Sequence, residues 1–183
     1  MKNKIYKIIT FIIINLILIQ YSVSDEINFE ANLIELIDKD KKILAKKNVK
    51  ILTDSEIITA EEMLYFKDTG VAEIKGNLIL KKLDNSLKIY SDELIYKKKV
   101  EEITLKKNVL IELNQKYKFK TNTAKYFKLK NKIIVDNPSN ITDSFGNSIY
   151  AKKSIFSIDK KLLKIRSVKM QDVENNVYYF ETA

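Results

Sequence analysis

Five times along this chain of 183 residues a short strand-like pattern returns at a spacing of 29 to 31 residues, and so regular a period leaves few folds open. The sharpest copies are Ala45-Lys-Lys-Asn48-Val49-Lys-Ile51, Ile74-Lys-Gly-Asn77-Leu78-Ile-Leu80 and Leu105-Lys-Lys-Asn108-Val109-Leu-Ile111, with weaker echoes centred on Asn137 and Ser167. A second motif keeps step with the first. It runs from Ile58 to Tyr65, Ile89 to Tyr96, Phe119 to Tyr126 and Ile149 to Phe156, so that its closing aromatic recurs after 31, 30 and 30 residues, and a partial first copy runs from Phe29 to Leu36. Fixed-period self-similarity marks a stacked architecture, in which each unit buries its apolar face only against its neighbours.

Within each unit apolar and polar residues alternate, as at Val49 and Ile51 or Leu78 and Leu80, which is the period of a strand with one buried face. Breaks are predicted at Asp38-Lys-Asp-Lys, Lys67-Asp-Thr-Gly70, Leu83-Asp-Asn-Ser86, Asn137-Pro138-Ser-Asn140 and Phe145-Gly146-Asn147, where turn-forming residues cluster. Two strands and two turns per unit predict an all-β antiparallel up-and-down stack rather than a parallel β-helix. Ten or more strands cannot remain a flat sheet; they must curl or fold over to bury their apolar side. Free edges are expected near Phe29 to Leu36 and near Val177 to Phe180. The stretch from Gln171 to Ala183 reads as the opening of a sixth unit, so either its last strand is an edge that docks on another protein or the sequence is a fragment of a longer chain.

Residues 1–24 read differently. Lysines at positions 2, 4 and 7 precede apolar runs from Ile8 to Ile14 and Leu16 to Ile19, and small residues at Ser22-Val23-Ser24 follow. That is the pattern of a cleaved signal peptide, shorter than the ~20 apolar residues of a membrane span, and it predicts a mature chain of residues 25–183 outside the cytoplasm. The chain has no cysteine and no histidine, so disulfide staples, thiol chemistry and the commonest general base are all absent. The formal charge is +9, yet Arg166 is the only arginine among 33 basic residues. Base and phosphate readers lean on the arginine fork, so no nucleic-acid partner is expected; lysines spread along strands fit a solvated face and leave an attraction to anionic lipid headgroups open.

No catalytic constellation emerges. Glu61-Glu62 and Glu101-Glu102 are adjacent in predicted strands and so point to opposite faces, where they cannot share a proton. Ser144 and Ser154 lack a histidine to activate them, Gly70, Gly76 and Gly146 lie too far apart for a phosphate loop, and no stretch has calcium-loop spacing. Neither cofactor nor metal is expected, and the chain does not read as an enzyme.

The cadence from Ala45 through Ile58–Tyr65, Ala72–Leu80 and Ile89–Tyr96 to Ile103–Ile111 resembles the OstA-like (organic solvent tolerance-like) domain of the lipopolysaccharide transport and assembly family, over about Phe29 to Phe156 and less sharply beyond. The later part, from Asp143-Ser-Phe-Gly-Asn147 to Asp172–Tyr179, is more similar to the N-terminal part of the outer-membrane assembly protein than to the periplasmic bridge protein. The sequence departs from the assembly protein in lacking a C-terminal β-barrel and cysteines. The resemblance implies a V-shaped β-jellyroll that carries the acyl chains of lipopolysaccharide inside and docks by its ends on homologous domains. It further implies a place in the periplasm, or at the periplasmic face of the outer membrane, of a Gram-negative bacterium, with the outer-membrane assembly machinery as partner.

On that reading Val49, Ile51, Leu78, Leu80, Val109 and Ile111 line one face of a lipid groove, while Ile58, Ile89, Phe119 and Ile149 with Tyr65, Tyr96, Tyr126 and Phe156 form the facing series. Burying each acyl methylene is worth ~0.8 kcal/mol, so a continuous dry seam binds lipid without any catalytic group. Two other classes compete: a structural or adhesive exported β-solenoid whose interior is closed, and a carbohydrate-active β-helix, which would need acids clustered on one face.

Overall fold

The computed structural model describes residues 27–182, so the signal peptide expected over residues 1–24 lies outside the described residues. The strands are β1 (Asn28–Glu30), β2 (Leu33–Ile37), β3 (Lys42–Leu52), β4 (Glu56–Phe66), β5 (Val71–Lys82), β6 (Leu87–Lys97), β7 (Glu102–Leu113), β8 (Tyr117–Phe127), β9 (Lys132–Val135), β10 (Ser139–Asp143), β11 (Ser148–Ser157), β12 (Leu162–Gln171) and β13 (Val177–Thr182). They form one 13-stranded sheet in which chain neighbours from β3 to β8 pair in sequence order. Every pairing is antiparallel, as the two-strand repeat predicts. Two pairs of short strands are each one strand broken in the middle. β1 and β2 both pair with β3, while β9 and β10 both lie between β8 and β11. The Asn137-Pro138 break is therefore a bend within one strand line, not a chain reversal, whereas Lys67–Gly70, Leu83–Ser86 and the Gly146 turn do reverse the chain.

The repeated asparagine marks a corner. Pairing registers slip at Lys46/Val49, Thr59/Glu62, Lys75/Leu78, Tyr90/Glu93 and Lys106/Val109, one bulge for each neighbouring pair from β3 to β8. At these slips Lys47, Asn48, Gly76, Asn77, Lys107 and Asn108 adopt left-handed backbone, as does Ser167 in β12. Asparagine tolerates that region better than most residues, and a bulge bends its strand. Because the bulges fall in register, the whole sheet folds along one line. Side chains seal that line from outside: Asn77 Nδ2 donates to Glu61 Oε1, Asn108 Nδ2 to Asp92 Oδ2 at 2.7 Å, and Thr123 Oγ1 to Asn137 Oδ1 at 3.2 Å.

Folding along the corner makes two walls that face each other. In the aliphatic wall the direct cross-strand partners run Ile51, Ile58, Leu80, Ile89, Ile111, Phe119, Ile141 and Ile149. In the tyrosine wall they run Tyr65, Ala72, Tyr96, Ile103, Tyr126, Ile133 and Phe156. This corrects one expectation. Ile58, Ile89, Phe119 and Ile149 do not face Ile51, Leu80 and Ile111; they sit beside them, since residues paired across an antiparallel ladder project from the same face. Only the aromatic series faces the aliphatic one. The walls also cross: Glu56 of β4 meets Tyr126 of β8, and Phe119 of β8 meets Phe156 of β11 with ring centroids 6.4 Å apart. Half-strands thus cover half-strands two to four places along, the kind of offset that sheet twist imposes on packed layers.

Candidate functional site

The interior between the walls is the site the sequence points to. Of the fourteen seam residues, Val49, Ile51, Ile58, Tyr65, Leu78, Leu80, Ile89, Tyr96, Val109, Ile111, Phe119, Tyr126 and Phe156 are buried, and Ile149 is half-buried near the far edge. The structure adds a second inner row that the motifs did not single out, with Ala45, Met63, Ile74, Leu94, Leu105 and Ala124 buried on the tyrosine wall. The interior is filled. The gap among Ile111, Leu113, Phe119, Ile133, Val135, Ser154 and Phe156 is too small to hold a water molecule.

One polar cluster interrupts this apolar lining, at the lip where the start of β4 on the aliphatic wall meets the end of β8 on the tyrosine wall. Glu56, 1% exposed, accepts a 2.8 Å hydrogen bond at Oε1 from the Tyr126 hydroxyl. Its Oε2 lies 3.1 Å from Lys128 Nζ, near enough for the charges to pair, although the angle misses hydrogen-bond geometry. Lys128 Nζ also pairs with Glu101 Oε2 at 2.6 Å and sits 5.0 Å from the Tyr96 ring centroid, and the Tyr96 hydroxyl donates to Glu101 Oε1 at 2.6 Å. Two acids, one lysine and two phenols thereby join both walls. Burial would push the Lys128 ammonium down, but the Glu101 hydrogen bond and the Glu56 charge outweigh it and hold its pKa above the ordinary lysine value. Burial, then the Glu56 charge and hydrogen bond, push the Tyr126 phenol up; burial and the Glu101 hydrogen bond do the same for Tyr96.

Beside the cluster a cavity of about 570 Å³ opens among Ile27, Leu52, Thr53, Tyr96, Lys98, Glu101, Lys128 and Leu129. Tyr96 and Tyr126 close the repeated motif and are expected as lining, whereas Glu56, Glu101 and Lys128 lie outside it. One signal was present: the alternation Glu56, Ile58, Ala60 puts the glutamate on the inward face, and an inward acid requires a partner. Glu101 also does not sit in a strand. It occupies a left-handed turn position, which turns its carboxylate back onto Lys128.

Among the described residues, the crossing walls leave an inner face exposed at each end of the stack. At the first edge Ile34 and Leu36 pair with Ala45 and Ile43 on the inner face of the tyrosine wall, and Leu36 is 56% exposed. At the last edge Tyr178 and Phe180 pair with Met170 and Val168 on the inner face of the aliphatic wall, and Phe180 is 46% exposed. The edges expected at Phe29–Leu36 and Val177–Phe180 are those of the sheet.

No protein-family model matches this chain, and no curated protein matches it. Among solved structures it is similar to the crystal structure of LptH, described as the LptA homologous periplasmic component of the conserved lipopolysaccharide transport device from Pseudomonas aeruginosa, at 14% identity and a TM-score of 0.31 over 85% of this chain and 94% of that one.

Proposed function

We propose that this chain is a non-catalytic lipid carrier of the OstA-like kind, which takes the acyl chains of lipopolysaccharide into the seam between its walls and passes the lipid across the periplasm toward assembly at the outer membrane. One observation carries the reading: the apolar inner faces run from rung to rung, interrupted chiefly at the Glu56–Lys128 lip, and among the described residues they emerge exposed at both ends, at Ile34 and Leu36 and at Tyr178 and Phe180. The fourteen seam residues are the proposed acyl contacts, and they are reached by parting the walls at the Glu56–Lys128 lip. Homologous jellyroll domains of the transport bridge are the proposed partners at the edges, and a cleaved signal peptide over residues 1–24 the proposed route of export.

The filled interior favours a second reading, a structural or adhesive exported β-solenoid with no lipid ligand. Photo-crosslinkers placed one at a time at Leu80, Tyr96 and Ile111 separate the two. They capture lipopolysaccharide on the carrier reading, while crosslinkers at Lys50, Lys81 and Lys106, on the outer faces, do not. Equal capture by both sets, or none by either in variants that keep a wild-type melting transition, rejects the carrier.

A further inference from the structure

The turns at the free end of the tyrosine wall form one continuous rim. Lys67 N donates to Lys41 O at 3.0 Å, Lys98 N to Gly70 O at 3.0 Å, Lys128 N to Glu101 O at 2.9 Å and Ile158 N to Asn131 O at 2.8 Å, so backbone bonds zip five successive turns into a row. Turns at the same end lie two strands apart, roughly 10 Å. This row carries nine lysines against Asp38, Asp40, Asp68, Glu101 and Asp159, whereas the turns at the opposite rim carry Asp54, Asp84, Asp172 and Glu174 against Lys116. The net positive charge of the chain is therefore not spread evenly; it is directed to one end.

The two central turns of the rim are built alike. Lys98-Lys99-Val100-Glu101 and Lys128-Leu129-Lys130-Asn131 each form a single 3₁₀ turn closed by a left-handed residue. Glu101 and Lys128 turn inward to the lip cluster, which removes the acid from the outer surface of these turns. What remains outward is Lys99, Lys130 and two bare aliphatic side chains, Val100 at 58% and Leu129 at 78% exposed. We propose that this rim docks on an anionic phospholipid surface, the lysines over headgroup phosphates and Val100 and Leu129 entering the interface. An apolar residue beside lysines in a row of turns suits a plane of headgroups. A nucleic acid would call for arginine forks or aromatic platforms, and these central turns carry neither. The opposite rim also bears a bare aromatic, Phe145, but its acids are repelled by such a surface. Docking by the rim goes beyond lipid carriage, because it needs no opening of the seam and presents the lip cavity, which Leu129 lines, to the membrane.

Flotation of residues 25–183, which contain every described strand, with vesicles of phosphatidylcholine, with or without phosphatidylglycerol, tests this. Phosphatidylcholine supplies the same acyl chains without net charge, and the rim variants leave every seam residue unchanged, so the outcome is separable from acyl binding in the seam. Binding is expected only with phosphatidylglycerol and is expected to weaken as salt rises. The pair Lys99→Glu and Lys130→Glu lowers it at least roughly tenfold, while Lys116→Glu and Lys152→Glu, the same change in net charge away from the rim, lower it less than about threefold. Wild-type binding that ignores phosphatidylglycerol, or equal losses in the two pairs, overturns the assignment.

Discussion

The Tyr126 hydroxyl and the Glu56 carboxylate, 70 residues apart in sequence, meet at 2.8 Å and join the two walls of the folded sheet. Lys128, only 10% exposed, lies 3.1 Å from the other oxygen of the same carboxylate. Removing one member of a buried ion pair strands the other, at a cost of ~3 kcal/mol or more. Lys128→Met should therefore destabilise by about that amount in urea unfolding. The double variant Glu56→Gln/Lys128→Met keeps an acceptor for Tyr126 and removes the fully buried stranded charge, leaving unpaired only Glu101, whose side chain is 26% exposed, so it should recover about half of the loss. Additive costs would show that the pair does not hold the lip.

The same cluster sets a limit on stability at high pH. Tyr96, Tyr126 and Lys128 all have folded pKa values raised above their ordinary ones. Above about pH 10 the unfolded chain releases these protons while the folded chain keeps them. The unfolded state then binds fewer protons, so unfolding free energy falls as pH rises, whereas below that point the contribution is fully present. Urea melts at intervals from about pH 9 to 11 should show this decline, and Tyr126→Phe should make it shallower by about one proton. An unchanged slope in the variant would mean that Tyr126 titrates as it does in water.

The repeat made the antiparallel stack legible, because alternation within a strand and recurrence between strands are local facts. The corner is also local, and Asn48, Asn77 and Asn108 stand at it in the three clearest copies; what the residues did not disclose is that a left-handed bulge recurring in register folds the whole sheet. Which series faces which is a different matter. Placing Ile58 beside Ile51 follows from pairing, but placing Phe119 against Phe156 depends on twist accumulated over several strands. Glu56 escaped for the same reason: its partners Tyr126 and Lys128 belong to a wall reached only after that crossing, and an inward acid without a visible partner reads like any surface glutamate.

Corner geometry distinguishes two glycines. Gly76 has φ +80°, and a β-carbon there would sit 2.8 Å from Glu61 Cβ, which cannot swing away as a side-chain tip can. Gly70 has φ +68°, but its added β-carbon would meet nothing nearer than Lys99 Cγ at 3.5 Å, an ordinary contact. Gly70→Ala should thus cost only the backbone term, ~1 kcal/mol, and Gly76→Ala that term plus the clash, ~2 kcal/mol or more. Thermal melts of the two variants side by side measure the difference, and equal shifts would place the corner's tightness elsewhere.

The two uncovered faces are complementary rather than alike. At the first edge the tyrosine wall overhangs, exposing Leu36, and at the last edge the aliphatic wall overhangs, exposing Phe180. A second copy placed head to tail would lay its tyrosine-wall overhang on the aliphatic-wall overhang of the first, while β13 (with one neighbour among the described strands) gains β1 and β2 as a partner line. Such an interface is heterologous, so one substitution disables only one end of each copy. Leu36→Asp should block the head and leave the tail intact, and Phe180→Asp should do the reverse. Each variant alone should sediment as a monomer at concentrations where the parent chain associates. Mixed in equal amounts, they should form dimers and nothing larger, since one competent tail then meets one competent head. Failure of the mixture to dimerise would point to a symmetric contact or to none, and would remove the continuity of the seam from one copy to the next.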